Sequence, residues 1–236
     1  MHTFWTTLFY QPIYNALVFL MAHVTFGDVG FAIIILTILV KLVLFPLSRK
    51  AIKSQVMMKK LEPELKKIKK EFPNKEEQAK KTFELYKNYK INPFSGLLVV
   101  LIQIPVIFAL YYVFLRGLSL SPELLYSFVK VPAVVHTAFL GLIDTQSHSL
   151  ILALLAGGTQ YFQAKLMMPK SEPKKDGEEV TFSEQMSKSM STNMKYVLPV
   201  IIALIAYKIS AAVALYWTVS NITTIIQEWY VRRKLK

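Results

Sequence analysis

Lys41 lies inside residues 30–47, a run that is otherwise apolar apart from Thr37 and is long enough to cross a bilayer. An ammonium near hydrocarbon costs on the order of 3 kcal/mol on insertion scales, so such residues face a bundle interior or a wet cavity, or snorkel to the nearer interface. Ser48 is about two helical turns further on, and Lys41 taken alone leaves both readings open. Its chemistry is that of a fixed cation with three donors, able to attract a carboxylate, hold an anion or relay a proton.

The other spans carry polar residues at matching depth. At 100° per residue, Thr37, Lys41 and Ser48 fall within about 40° of one another. Trp217, Asn221, Thr224 and Glu228 share a face in the same way, and Thr159, Gln160 and Gln163 cluster on a third stretch. The opposite ends of these stretches, residues 31–36, 150–155 and 211–215, offer almost nothing polar. Lys41, Thr37, Gln160, Gln163, Trp217, Asn221 and Thr224 therefore outline a candidate hydrophilic groove, open to the cytosol and sealed toward the outside. Each Thr or Gln alone reads equally as glue between helices.

Other chemistries are excluded. There is no phosphate-binding Gly-rich loop, no paired catalytic carboxylate and no metal-ligand cluster, and His2, His23, His136 and His148 scatter toward the outer loops. No enzyme activity, cofactor or metal is expected. The complete lack of cysteine removes disulfides, thiol catalysis, thiolate metal sites and a lipoprotein anchor.

The elements that must position these residues follow from composition. Of 236 residues 53% are hydrophobic, yet the formal charge is +13, which fits a basic polytopic membrane protein. The lysines gather between hydrophobic runs, so anionic lipid or ribosome contact is favoured over nucleic acid readout. Beyond residues 30–47, apolar stretches occupy about 93–115, 150–168, 196–207 and 211–229. Residues 196–229 as one helix would run roughly 50 Å against about 30 Å of hydrocarbon and bury Lys208, so a tight turn is predicted near residues 208–210. The basic loops and tail, with Arg49, Lys50, Lys66, Lys67, Lys69, Lys70, Arg232 and Arg233, alternate with cation-poor ones. This sets five spans, the N-terminus outside and the C-terminus in the cytoplasm.

The predicted organisation is an all-α membrane protein. Residues 1–28 form an N-terminal extracytoplasmic interfacial helix, 29–47 and 93–229 the five-span core, 48–92 a cytoplasmic helical hairpin, 169–195 a second cytoplasmic loop and 230–236 a basic tail. The N-terminus has no basic n-region or small-residue cleavage site and is read as uncleaved. Phe4, Trp5, Phe9, Tyr10 and Tyr14 alternate there with polar residues, as in a helix among headgroups, with a short first span as the alternative.

In the hairpin, Met58, Leu61, Leu65, Ile68 and Phe72 follow a coiled-coil spacing, Pro63 kinks the first helix, and Pro73 and Asn74 break the run. Ala79, Phe83 and Tyr86 then resume a helical spacing. Met57, Met58, Leu61, Leu65 and Ile68 are candidate docking positions for client or partner, set against a plain solvated connector. Met57, Met58, Met167, Met168, Met186, Met190 and Met194 gather at the cytoplasmic mouth, as an adaptable apolar surface or as ordinary packing.

With these residues in place, the chain resembles the YidC family of membrane protein insertases, which includes mitochondrial oxidase-assembly and chloroplast Albino relatives. GFAIIILTILVKLVLFPLSRKAIKS is similar to the family's first core span with its groove cation and following Pro-Leu. INPFSGLLVVLIQIPVIFALYYVF resembles the second, with an Asn-Pro start and Gln-x-Pro centre, and ALYWTVSNITTIIQEW the final span. The resemblance implies a five-span core with a cytosol-facing groove, an outer amphipathic helix and a cytoplasmic hairpin. It puts Lys41 where the groove arginine usually stands and Gln163 and Trp217 at groove positions; Gln160 is added from its helical face. A short, core-only form is expected, without the large extracytoplasmic domain and leading span of Gram-negative members or a long basic tail, and KISA stands where Pro and Gly are common. Lysine also lacks the planar fork of arginine.

The resemblance implies a bacterial cytoplasmic-membrane insertase whose clients are nascent membrane proteins, with the ribosome, the general secretion translocon and anionic lipids as further partners. A hydrophobic client segment would slide along the groove while its polar, often acidic, flank enters the wet cavity near Lys41, without nucleotide hydrolysis. The alternative is a small solute or ion transporter using the intramembrane lysine, for which inverted repeats would be expected and none is visible.

Overall fold

The structure is a computed structural model that describes residues 2–92, 94–115, 122–167, 189 and 191–235. Most of the loop predicted at 169–195 lies outside these residues, as do Met168, Met186 and Met190. The chain is mostly helical. It forms two compact units, Met1–Leu42 with Pro105–Ile225, and Val43–Ile104 with Ile226–Lys236.

The first unit begins with α1 (His2–Trp5), a π-helical turn (Thr6–Tyr10) and α2 (Gln11–His23), with Pro12 in the first turn of α2. Tyr10, Ile13, Tyr14, Leu17, Val18 and Met21 are buried at the three- and four-residue spacing of one helix face. Gln11 and Asn15 do not form a wet opposite face. Asn15 is buried, its Nδ2 donates to Leu124 O at 2.8 Å and its Oδ1 accepts from Tyr126 N at 2.7 Å, while Gln11 Nε2 donates to Leu124 O at 3.2 Å. The polar interruptions of this segment thus clamp the loop at residues 124–126.

α3 (Val29–Val43) contributes Val29, Ala32, Ile33 and Leu36 to the same core, and α7 (Ser95–Leu115) contributes Ala109, Leu110 and Val113. α8 (Leu150–Met167) packs on α9 (Leu198–Ile209), where Gly157 lies against Ala203 and the Pro199 carbonyl; small residues let two backbones approach. α10 (Ala211–Arg233) starts after Ser210, which is extended and buried. Ala211 N and Ala212 N donate to Ser147 O and Thr145 O at 2.7 and 2.9 Å, so loop carbonyls satisfy the helix start. The chain therefore turns at Ser210 without the Gly or Pro that turns usually use.

On this unit many large apolar side chains also point outward: Leu39 and Leu42 on α3, Phe108 on α7, Ile151 and Leu154 on α8, Leu204 on α9 are all exposed. Thr37, Lys41, Thr218, Ser220 and Asn221 are buried. Many hydroxyls bond the carbonyl one turn back, as Thr37 does to Ile33 O and Thr218 to Ala214 O.

The second unit holds α4 (Phe45–Lys60), α5 (Glu62–Glu71) and α6 (Lys75–Asn88). The first expected span, residues 30–47, is interrupted. α3 ends at Val43, and Leu47 N and Ser48 N bond Leu44 O at the start of a new helix that carries Pro46 in its first turn. Proline donates no hydrogen bond and its ring opposes a carbonyl one turn back. Ser48 therefore belongs to α4, and the stripe read through Thr37 and Lys41 does not continue to it. Among the described residues no single helix is long and apolar enough to cross a membrane by length and composition alone; the bent pair of α3 with α4 meets that measure together.

Leu61, the one buried member of the expected seam, sits between α4 and α5, and Pro63 starts α5. Asn74 caps α6 by accepting from Glu76 N at 2.9 Å, and Gln78 Nε2 donates to Phe72 O at 2.6 Å. The Tyr89 hydroxyl donates to Glu64 Oε1 at 3.0 Å, a hydrogen bond that raises the phenol pKa. The half-buried stripe of α6 is Gln78, Thr82, Leu85 and Tyr86, whereas Ala79 and Phe83 are exposed. The expected face is thus rotated by about one residue: Gln78 and Thr82 take the covered positions next to Ala79 and Phe83, while Tyr86 is shared by both faces.

Candidate functional site

α3, α8 and α10 bring the polar residues of the first unit together. Lys41, only 8% exposed, sits two residues before the end of α3. Its Nζ donates to Thr224 Oγ1 of α10 at 3.1 Å, and Thr224 Oγ1 donates in turn to Ser220 O at 2.8 Å. The ammonium is thus engaged from the opposite helix, as a cation enclosed among apolar residues must be. Thr37, one turn earlier, is buried and spends its hydroxyl on Ile33 O at 2.6 Å.

One turn from Thr224, the buried Asn221 reaches α8: its Nδ2 lies 3.2 Å from Thr159 Oγ1 and 3.4 Å from Ala156 O. This amide holds α8 to α10. Trp217, half-buried one turn before Asn221, packs against the core. Gln160 and Gln163 follow on α8, both half-buried. Gln163 Nε2 faces Met167 Sδ at 3.7 Å, and its buried Oε1 accepts no hydrogen bond among the described residues. So Lys41, Thr224, Asn221 and Thr159 form contacts across three helices, with Trp217 on the same face of α10 and Gln163 presenting an unsatisfied acceptor.

The docking candidates lie in the second unit. Met57 and Met58 are half-buried on α4, Leu61 is buried, and Leu65 and Ile68 are half-buried on α5. On the sequence, Glu228 falls on the groove stripe and Arg232 belongs to the basic tail. In the structure Glu228 is wholly buried, Arg232 Nε donates to its Oε2 at 3.3 Å, and Arg232 Nη2 donates to Gln55 Oε1 at 3.1 Å. The four-residue spacing of Glu228 and Arg232 on one helix was the available signal.

A sequence model of the family described as 60Kd inner membrane protein matches residues 21–236. The membrane protein insertase YidC of Fusobacterium nucleatum is 34% identical over 209 residues, covering 88% of each chain. The chain belongs to the YidC family. The YidC of Clostridium tetani is 34% identical over 196 residues, covering 82% of this chain and 76% of that protein. The YidC of Nitratidesulfovibrio vulgaris is 32% identical over 236 residues; 98% of this chain is covered but only 39% of that longer relative. Membership of the YidC family makes this a membrane protein. It also accounts for the outward apolar side chains of the first unit, since hydrocarbon rather than water is their solvent.

Proposed function

We propose that the chain is a membrane protein insertase of the bacterial cytoplasmic membrane, with five spans, its N-terminus outside and its C-terminus in the cytoplasm. Nascent membrane proteins are its clients. A client's hydrophobic segment partitions along the lipid-facing side of α3, α8 and α10, and its short polar flank enters a hydrated recess lined by Lys41, Thr37, Gln160, Gln163, Trp217, Asn221 and Thr224. The observation that carries this reading is the enclosed Lys41 ammonium, hydrogen-bonded across to α10 within an otherwise apolar helix.

The recess works by shortening the barrier. Transfer of a polar group from water to hydrocarbon without a partner costs several kcal/mol. A flank that first enters water and hydroxyls within the bundle crosses only the remaining apolar half. Lys41 adds attraction for an acidic flank, and no nucleotide hydrolysis is required. Met57, Met58, Leu61, Leu65 and Ile68 serve client or partner docking, and the lysines of the hairpin suit the ribosome, the general secretion translocon or anionic headgroups.

The test is reconstitution in liposomes with single-span clients carrying acidic or neutral flanks. Lys41→Ala should slow insertion of the acidic-flank client about tenfold, the equivalent of about 1.4 kcal/mol of lost attraction, and Lys41→Arg should restore it. Client protection from protease must occur without solute flux. Equal insertion by Lys41→Ala, or flux of small solutes in place of insertion, overturns the proposal.

A further inference from the structure

The loop that precedes α8 presents an apolar tip that neither the core nor the candidate groove uses. β1 (Ala138–Phe139) pairs antiparallel with β2 (Ile143–Asp144), and Leu140, Gly141 and Leu142 form the connection. Leu140 adopts a left-handed φ of 53°, a conformation that glycine, asparagine or aspartate takes far more readily than leucine. Leu142 is 86% exposed and Leu140 is also exposed. The loop is nevertheless firmly held. His136 N donates to Gly27 O at 2.8 Å, Val29 N donates to His136 O at 3.1 Å, and the Phe139 ring covers Gly30 and meets Phe31 edge-on at 5.4 Å. The same hydrogen bonds bring Phe26, 85% exposed, to this end of the first unit.

Two further observations say what covers these side chains. Residues 131–143 contain no Asp, Glu, Lys or Arg, although the chain as a whole is 18% charged, so the tip has no charge to hold it in water. Exposed apolar side chains also stand at the start of the helices that the loop adjoins: Phe31, in ring contact with Phe139, in the first turn of α3, and Leu150 and Ile151 in the first turn of α8. We propose that Phe26, Leu140 and Leu142 are a lipid anchor that dips into the headgroup and upper acyl region of the leaflet at this end of the first unit, fixing its depth in the bilayer. This rests on the membrane reading of the first unit and is independent of client insertion.

The natural absence of cysteine makes the test direct. The full chain bearing Leu142→Cys, Phe26→Cys or, as a water-exposed reference, Gln146→Cys is labelled with an NBD fluorophore and reconstituted in phosphatidylcholine–phosphatidylglycerol vesicles. At positions 142 and 26 the emission should shift to the blue relative to position 146, lose intensity with lipids doxyl-labelled at a shallow acyl carbon, and resist aqueous iodide. Iodide quenching at 142 and 26 equal to that at 146 overturns the anchor. So does a blue shift untouched by doxyl lipid, which would place a second copy or another protein on the tip. Client protection measured in the same vesicles reports on the insertase reading separately.

Discussion

The first unit and the hairpin of the second unit are both built from helices but solve opposite solvation problems. In the first unit Leu39, Leu42, Ile151, Leu154 and Leu204 face outward, while Asn15, Lys41 and Asn221 are buried and hydrogen-bonded. In the hairpin, Lys66, Lys67 and Lys70 of α5 and the Lys and Glu residues of α6 face outward, and among the described residues these two helices bury no side chain as deeply as the first unit buries Leu17. The hydrophobic effect explains the hairpin, in which apolar residues hide weakly and charges stay in water. It cannot explain the first unit, whose outward leucines gain nothing from water. There the stabilising terms include close packing of small residues and hydrogen bonds made by buried polar groups such as Asn15, Lys41 and Asn221. The difference teaches that a buried polar contact is worth more to the first unit than an apolar one is to the hairpin, and substitutions can probe that ordering.

The largest effect is expected where the first unit is most tightly closed. Gly27 has a φ of +91°, and a Cβ there would run into the Val134 carbonyl, which is backbone and cannot swing away. Gly27→Val should therefore cost more than about 4 kcal/mol. The measurement is the folded fraction in a mild-detergent to SDS titration; a midpoint close to that of the parent would mean that the Phe26–Gly27 turn is not fixed as described.

Next comes the ionic contact of the second unit that has a buried partner. Glu228 is wholly buried, whereas the Arg232 side chain is 24% exposed. Arg232→Ala would leave an uncompensated carboxylate, and losing one partner of a buried pair costs about 3–5 kcal/mol, here toward the lower end because the arginine is partly wet. Glu228→Gln with Arg232→Ala should recover most of the loss. If the double variant is no more stable than the single one, the contact contributes packing rather than charge compensation.

A smaller loss is expected for Asn15→Ala, which strips the Leu124 carbonyl and Tyr126 amide of their side-chain partner. Leaving such groups unpaired costs about 1–3 kcal/mol. Hydrogen exchange should rise at Tyr126 before it rises in α2. Uniform exchange along both segments would show that Asn15 supports α2 alone.

These same positions show what hydropathy and spacing convey. The apolar stretches predicted at 150–168 and 93–115 correspond to α8, Leu150–Met167, and α7, Ser95–Leu115, because a long apolar run is a property summed over many residues. The turn near Ser210 followed from length, since the bilayer bounds how far a helix can run. The face of α10 that carries Trp217, Asn221 and Thr224 followed from the 100° step. By contrast, the break at Leu44 leaves no mark in hydropathy, because residues on both sides of it are apolar and only the local effect of Pro46 divides them. On the sequence Asn15 is only a polar interruption of an apolar stretch, since its partners at Leu124 and Tyr126 are more than a hundred positions away in the chain. Contacts of that kind depend on tertiary approach and leave no periodic trace.

The least effect is expected in the hairpin, and it sharpens the contrast most simply. Phe83 matches the apolar spacing of α6, which suggested a packed position, yet it is 59% exposed and lies beside the true facing stripe of Thr82, Leu85 and Tyr86. A side chain that stays largely in solvent contributes little when it is removed, so Phe83→Ser should change stability by no more than about 0.5 kcal/mol. Leu85→Ser, on the half-buried stripe one turn from Tyr89 and its bond to Glu64, should cost more than Phe83→Ser in the same background. Helicity of the hairpin followed by hydrogen exchange at α5 and α6 ranks the two. If Phe83→Ser proved the more damaging, α6 would sit rotated by a residue, on the face that its sequence spacing alone proposed.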